Sequence, residues 1–198
     1  AEAGFLSVTG TEETPSKAGI SIADIAAGMY AYTNILAALI QRGKTGQGAS
    51  IDISMLEAMA EWMGFPMYYA YDGATAPERK GGSHATIYPY GPFMAGDGNV
   101  VMLGLQNERE WDVFCKTVLQ DTTLAGDPRF TSNALRAENK DLLRDIILSV
   151  FADLNAEQVV GRLDTAGIAN ARMNDIADLW AHPQLNARGR WGEIASEI

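Results

Sequence analysis

Two adjacent glycines followed by a hydroxyl and an imidazole, Gly81-Gly82-Ser83-His84, are the residues of this chain best suited to act on a substrate. Glycines let backbone N–H groups come close to a ligand and stabilise a developing oxyanion or a bound acyl group. The same four residues also suit the flexible end of a linker, and chemistry alone favours that plainer role. The other reactive side chains do not form a self-contained catalytic set. His84 and His182 lie far apart in sequence without carboxylates at ligand spacing, so no metal site is expected. The single cysteine, Cys115, falls on the apolar face of a predicted helix and reads as a buried, inert thiol. One cysteine also excludes a disulfide framework and a cysteine-based zinc site. Gly43-Lys44-Thr45 invites comparison with a phosphate-binding loop, but Ala38 stands where that motif needs a glycine. It closes a helix where the motif should follow a strand. No Gly-x-Ser-x-Gly elbow occurs. Asp24 reads as a first-turn carboxylate that favours a helix dipole, with a buried hydrogen-bonding carboxylate as the alternative.

The elements that position these residues follow from spacing. Residues 1–10 read as the end of an apolar helix or strand, and 11–19 as a loop. Ser21 is placed to cap a helix whose apolar positions run from Ile22 to Gln41 at three- and four-residue intervals. Ala23, Ala26, Ala27, Gly28 and Ala31 make one side of it small, so a second backbone can approach, and the helix is expected to be buried. Ile51 and Ile53 alternate with Ser50 and Asp52 as a short strand, and helical spacing resumes from Met55 to about Tyr71. Asp72 to Ser83 is the best linker. Beyond it, 85–93 and 99–105 read as strands joined across Gly96-Asp97-Gly98. Asn107 caps a helix with Trp111, Phe114, Cys115 and Val118 on one face. A helix from about Asn133 to Leu154 places Leu142, Leu143, Ile146, Ile147, Val150 and Phe151 inside. A further helix starts at Asn155, a strand at Ala169, and a last helix at Asp175, broken near Pro183.

The bulk properties set limits. The chain has 198 residues, 47% of them hydrophobic, and a net charge of −10 from 15 basic and 25 acidic side chains. That charge repels nucleic acid and anionic membranes. No run of about 18 apolar residues is seen, so no membrane-spanning helix is expected. The default reading is an acidic, cytoplasmic globular α/β protein. Its abrupt ends, Ala1 without a methionine and Ile198 soon after Arg190-Trp191-Gly192-Glu193-Ile194, suggest an internal piece of a longer polypeptide.

Three stretches together resemble the class III CoA-transferase family, the formyl-CoA or carnitine-CoA transferase type. They are Ser7–Gly10 with Lys17–Gly28, Arg42–Gly48 with Ile51–Ser54, and Gly81–His84 through Tyr90–Phe93 with Asp97-Gly98 and Asp127-Pro128-Arg129-Phe130. Their order and spacing match across essentially the whole chain. His84 to Phe93 and Gln106 to Trp111 look like the branch acting on C4–C5 dicarboxylic acids, itaconate or mesaconate.

The resemblance implies part of a Rossmann-like large domain over residues 1–72, a linker and glycine loop over 73–84, and a small α+β domain over 85–198. It further implies an interlocked homodimer that uses a coenzyme A thioester as substrate, with no prosthetic group. The partners would be acyl-CoA and small carboxylic acids, not nucleic acid or membrane. The family's nucleophile is an aspartate that forms aspartyl anhydride and aspartyl-CoA thioester intermediates. By the family pattern it falls just before Ala1, so Asp24 and Asp52 are not it and no catalytic residue is expected in this chain. The resemblance makes Gly81, Gly82, Ser83 and His84 the mobile loop that shields those intermediates, although the family run is longer in glycine and ends in Gln. His84 has a second reading, contact with the substrate's distal carboxylate. An α-methylacyl-CoA racemase shares many of these motifs, and an inactive dimerisation fragment is the remaining alternative.

Overall fold

The computed structural model describes residues 1–195, which fall into two compact units, Ala1–Ala85 and the residues from Thr86 onward. In the first unit a short 3-10 turn, Phe5–Ser7, precedes the long helix α1, Ile22–Thr45. α2, Met55–Trp62, and α3, Gly64–Tyr69, follow. Part of the small side of α1 packs as its composition predicts: Ala23, Ala26 and Ala27 pack with Ala58 and Met59 of α2, beside Phe5 and Tyr30, whereas a side chain on Gly28 would meet nothing within 4 Å.

Several expectations for this unit are corrected. α1 is not a buried helix, because Ala26 alone among its described residues is fully covered, while Met29, Tyr32, Leu36, Leu39 and Ile40 are exposed. Among the described residues of this unit no second layer lies over that face. Ser21 makes no side-chain cap; the backbone Ile25 N–H donates to Ser21 O instead. The helix runs through Gly43 and ends at Gly46, whose φ of 74° gives the left-handed cap. Residues 49–54 form no strand, and of these Ser54 is extended, with φ −95° and ψ 134°, where it caps α2. The expected helix to Tyr71 breaks after Trp62, because Pro66 has no N–H to give to Trp62 O. α1 is also long and apolar enough to cross a membrane by length and composition, contrary to the expectation of no such segment. Interior helices of water-soluble proteins have the same character.

The second unit is a three-stranded antiparallel sheet backed by helices, in strand order β1-β2-β3. β1 is Tyr90–Met94, β2 Val100–Gly104 and β3 Ala169–Arg172, with Tyr90 opposite Gly104 and Val101 opposite both Phe93 and Arg172. The hairpin turns at Gly98, φ 80°, with Asp97 Oδ1 accepting from Asn99 N at 3.1 Å. α4, Glu108–Val113, is capped by Asn107 as expected and runs on as a π-helical stretch, Phe114–Leu119. α5, Asn133–Glu138, and α6, Lys140–Phe151, replace one long helix; Asn139 breaks it by donating its amide to Leu135 O and Arg129 O. α7, Ala156–Ala166, opens on a full capping box from Asn155 and Gln158. α8, Ile176–Trp180, and α9, Pro183–Ala187, are divided at Pro183 as predicted.

One core fills this unit: Phe93, Val101, Leu103, Trp111, Phe114, Phe130, Leu143, Ile147, Phe151 and Leu163 are essentially buried. Leu142, expected inside, is 41% exposed. Helices and a small sheet are thus mixed in this chain, consistent with the α/β class expected from the sequence.

Candidate functional site

Gly81 to His84 leaves the first unit on a well-anchored base. Arg79 Nε donates to Thr11 O and its Nη2 to Glu12 O, each at 2.8 Å. Lys80 Nζ reaches Glu12 Oε1 at 2.8 Å and Glu78 Oε2 at 2.7 Å. These two carboxylates, Glu12 first, raise the Lys80 pKa above its ordinary 10.5. Gly81 N then donates to Gly10 O at 2.8 Å. Gly10 is irreplaceable in this arrangement: at φ 116° a side chain there would meet Thr14 O at 2.2 Å. Gly81 itself has a positive φ, 60°, so the chain reverses direction where the loop begins.

The backbone donors are fewer than the glycine pair suggests. Gly81 N is spent on Gly10 O and Ser83 N on Lys80 O, at 3.0 Å, whereas Gly82 N–H meets no acceptor among the described residues. Gly82 is therefore the donor this loop can offer a ligand. Gly81, Ser83 and His84, but not Gly82, line a cavity of about 380 Å³, within the usual range for small-ligand sites. Phe5, Trp62, Met63, Phe65 and Pro66 form its apolar wall, and Gly81, Ser83, His84 and the paired Glu78 and Lys80 its polar rim. An acyl chain suits the wall and a carbonyl oxygen suits the rim. A second cavity of this unit, lined by Asp52, Glu57 and Glu61, is acidic and repels carboxylates and phosphates.

The other candidates keep to structural roles. Asp24 is exposed in the first turn of α1, where a carboxylate favours the helix dipole. Gly43-Lys44-Thr45 is the last turn of that helix. Cys115 is buried, and burial with Asp112 and Asp121 nearby pushes its thiol up to about 12. His84 and His182 belong to different units.

Residues that sequence reasoning did not single out hold the stretch after the loop. Asn133 Oδ1 accepts from Tyr88 N at 3.1 Å, and its Nδ2 donates to Thr86 O at 2.9 Å. Arg136, 2% exposed, donates from Nε to Tyr88 O at 3.1 Å and from Nη1 to Phe130 O at 3.0 Å. Glu108 pairs with both guanidinium nitrogens, at 2.7 and 3.2 Å, and accepts from Asn133 N at 3.1 Å. Arg136 first of all holds the Glu108 carboxyl below its ordinary 4.5. These bonds and Pro89, which lacks an N–H, explain why β1 begins at Tyr90 and not at Ala85. The available signal was the three-residue spacing of Asn133 and Arg136 on one helix face.

The sequence profile described as CoA-transferase family III matches residues 1–197. The chain is 31% identical, over 98% of its length, to a succinate–glutarate CoA-transferase of Agrobacterium fabrum, of which it covers 48%. It is 29% identical, over 93% of its length, to a succinyl-CoA:mesaconate CoA-transferase of Haloarcula hispanica, of which it covers 46%. Among solved structures, a CAIB/BAIF family protein from Brucella suis superposes with a TM-score of 0.79 at 30% identity, over 94% of this chain and 49% of that one. The chain thus spans about half the length of the relatives it matches.

Proposed function

Because this chain belongs to CoA-transferase family III, we propose that the whole protein moves coenzyme A from a donor thioester to a small dicarboxylic acid such as succinate, glutarate or mesaconate. One observation carries the reading: the Gly81–His84 rim beside the apolar wall of Trp62 and Phe65, in a chain whose relatives act on dicarboxylates. In this reading the loop keeps water from the reacting carbonyl. His84 contacts the distal carboxylate. Lys80 suits that task less well, since Glu12 and Glu78 already neutralise it.

The nucleophile in this reading is an aspartate outside the chain. Its carboxylate adds to the donor thioester, the C–S bond breaks, and CoA thiolate leaves a mixed anhydride. The thiolate attacks the aspartyl carbonyl, releasing the donor acid and forming an aspartyl-CoA thioester. The acceptor carboxylate displaces CoA to make a second anhydride, and the returning thiolate takes the acceptor acyl group and frees the aspartate. Splitting one exchange into these steps is covalent catalysis, and no prosthetic group takes part. We assign residues 1–72 to a Rossmann-like large domain, 73–84 to linker and loop, and 85–198 to a small domain, in a cytoplasmic interlocked homodimer.

The test is mass spectrometry of CoA thioesters, with succinyl-CoA and glutarate or mesaconate offered to the full-length protein and to this chain. The new thioester is expected from the full-length protein alone. If the full-length protein makes none but exchanges the α-hydrogen of a 2-methylacyl-CoA with solvent, it is a racemase. Transfer by the 198-residue chain would overturn the placement of the nucleophile. An unchanged acceptor KM in His84→Ala would remove the role given to His84.

A further inference from the structure

The cavity rimmed by Gly81, Ser83 and His84 has two sides, and both come from the unit Ala1–Ala85. One side is Phe5 and Val8 with Trp62, Met63, Phe65 and Pro66; the other comes from the stretch 77–85. Immediately after Val8 the chain folds back on itself. Gly10 bridges Pro15, Ser16 N donates to Thr9 O at 2.9 Å, and Thr11 N donates to Thr14 O at 3.0 Å. This tight reversal turns three consecutive carbonyls, those of Gly10, Thr11 and Glu12, toward the second side. Gly81 N donates to the first, and the Arg79 guanidinium takes the other two, Nε to Thr11 O and Nη2 to Glu12 O, all at 2.8 Å. Lys80 Nζ adds the Glu12 carboxylate at 2.8 Å. Lys80 and Gly81 thus belong both to this clamp and to the cavity lining, whereas Arg79 does not line the cavity and lies with Ser7 and Glu12 around a separate one.

We propose that Arg79 is a positioning residue for this cavity: by gripping Thr11 O and Glu12 O it fixes how far the Gly81–His84 rim stands from the Phe5–Val8 side, and so the size of acyl group that fits. The inference rests on the reading of the cavity as the acyl site of a CoA-transferase. A guanidinium suits the task because its planar fork donates in two directions at fixed geometry, whereas an ammonium is a point donor on a flexible stem. Without the fork, the stretch 79–81 keeps only the Gly81 backbone bond and the flexible Lys80 stem among these four ties. The rim then stands at no single distance, and acceptors that differ by one methylene are no longer told apart.

The experiment uses the full-length protein with Arg79→Ala and Arg79→Lys. Two quantities are read: hydrogen–deuterium exchange of peptides covering 79–85 and α2, and kcat/KM for transfer from succinyl-CoA to glutarate and to adipate, one methylene longer. The wild-type protein is expected to separate the two acids about tenfold, the usual worth of a methylene in a fitted pocket, and both variants only about twofold. Both should also quicken exchange at 79–85 while α2 stays at the wild-type rate. Arg79→Lys keeps the charge and should still fail, because a point donor cannot serve both carbonyls. A merely structural role would lower the melting temperature and slow transfer to both acids by one factor, which overturns the proposal. So do wild-type exchange at 79–85 in the variants, wild-type behaviour of Arg79→Lys, and equal wild-type rates with the two acids. If the wild-type protein transfers CoA to neither acid, the functional reading fails, and exchange alone then decides whether Arg79 holds the rim.

Discussion

The second unit buries Phe93, Trp111, Phe114, Phe130 and Phe151 completely, whereas the first leaves Tyr32, Trp62, Phe65, Tyr68 and Tyr71 largely exposed. Large apolar side chains are present in both, so hydrophobicity does not separate the two regions. Layering does. β1–β3 are backed by α6 and α7, and the π-helical stretch lies against α7, so the apolar faces of these elements meet one another, while Ile176 and Trp180 of α8 stay exposed. α1 meets α2 through Ala26, Ala58 and Met59 and presents the rest of its apolar surface to solvent. A helix apolar all round belongs in an interior. The chain spans about half its relatives' length, and we assign the missing cover of α1 to the remaining part of the full-length protein.

The largest expected effect contrasts those two surfaces. Phe151→Ala, at a fully buried position, should destabilise the second unit by about 3–5 kcal/mol in urea unfolding. Leu36→Ala, at 42% exposure on α1, should change the stability of this chain by no more than about 0.5 kcal/mol. In the full-length protein the same Leu36→Ala should cost about 2–5 kcal/mol. A small cost there too would break the comparison, because α1 would then be solvent-facing in the whole protein.

Two glycines sharpen it at smaller magnitude. A Cβ on Gly96 would stand 2.0 Å from Ala152 O, while one on Gly28 meets nothing within 4 Å. Gly96→Ala should therefore cost about 1–3 kcal/mol, and Gly28→Ala should stabilise this chain by up to about 1 kcal/mol through helix propensity. A loss of stability for Gly28→Ala in this chain would show that something already packs against α1.

The helix starts make a third pair. Asn155→Ala removes a formed capping box and should cost about 1 kcal/mol, measured by thermal or urea unfolding. Ser21→Ala removes a hydroxyl that caps nothing and should be neutral. Both residues look like caps in the sequence, and that is where its legibility ends. Asn107, Asn155 and the Asp97-Gly98 hairpin were readable because each is satisfied within a few residues. Leu143, Ile147 and Phe151 were readable because helical spacing fixes a face. The exposure of α1 and the missing strand at 51–54 were not, because both depend on a partner far away in the chain. Asn133, Arg136 and Glu108 were hidden for the same reason: their bonds join positions up to 48 residues apart. The loop at Gly81 was visible, but the commitment of its Gly81 and Ser83 N–H groups to Gly10 O and Lys80 O was not.

The smallest effect is one of pH, and it belongs to the second unit. Hydrogen bonds from Arg129 hold the Asp127 carboxyl down to about 2 from its ordinary 3.8. Asp121 is likewise lowered by the Thr123 hydroxyl first. A carboxyl with a lower pKa in the folded state binds fewer protons there than in the unfolded chain. Its stabilisation is whole above 3.8 and fades as pH falls through that value toward about 2. Both groups lie at the surface, so solvent screens them and each effect is small. Asp127→Asn should lower the neutral plateau of a stability–pH curve slightly and leave its acid end where it is, so that the acid limb flattens. A limb of unchanged steepness would mean that the Arg129 bonds do not lower the Asp127 carboxyl in the folded protein.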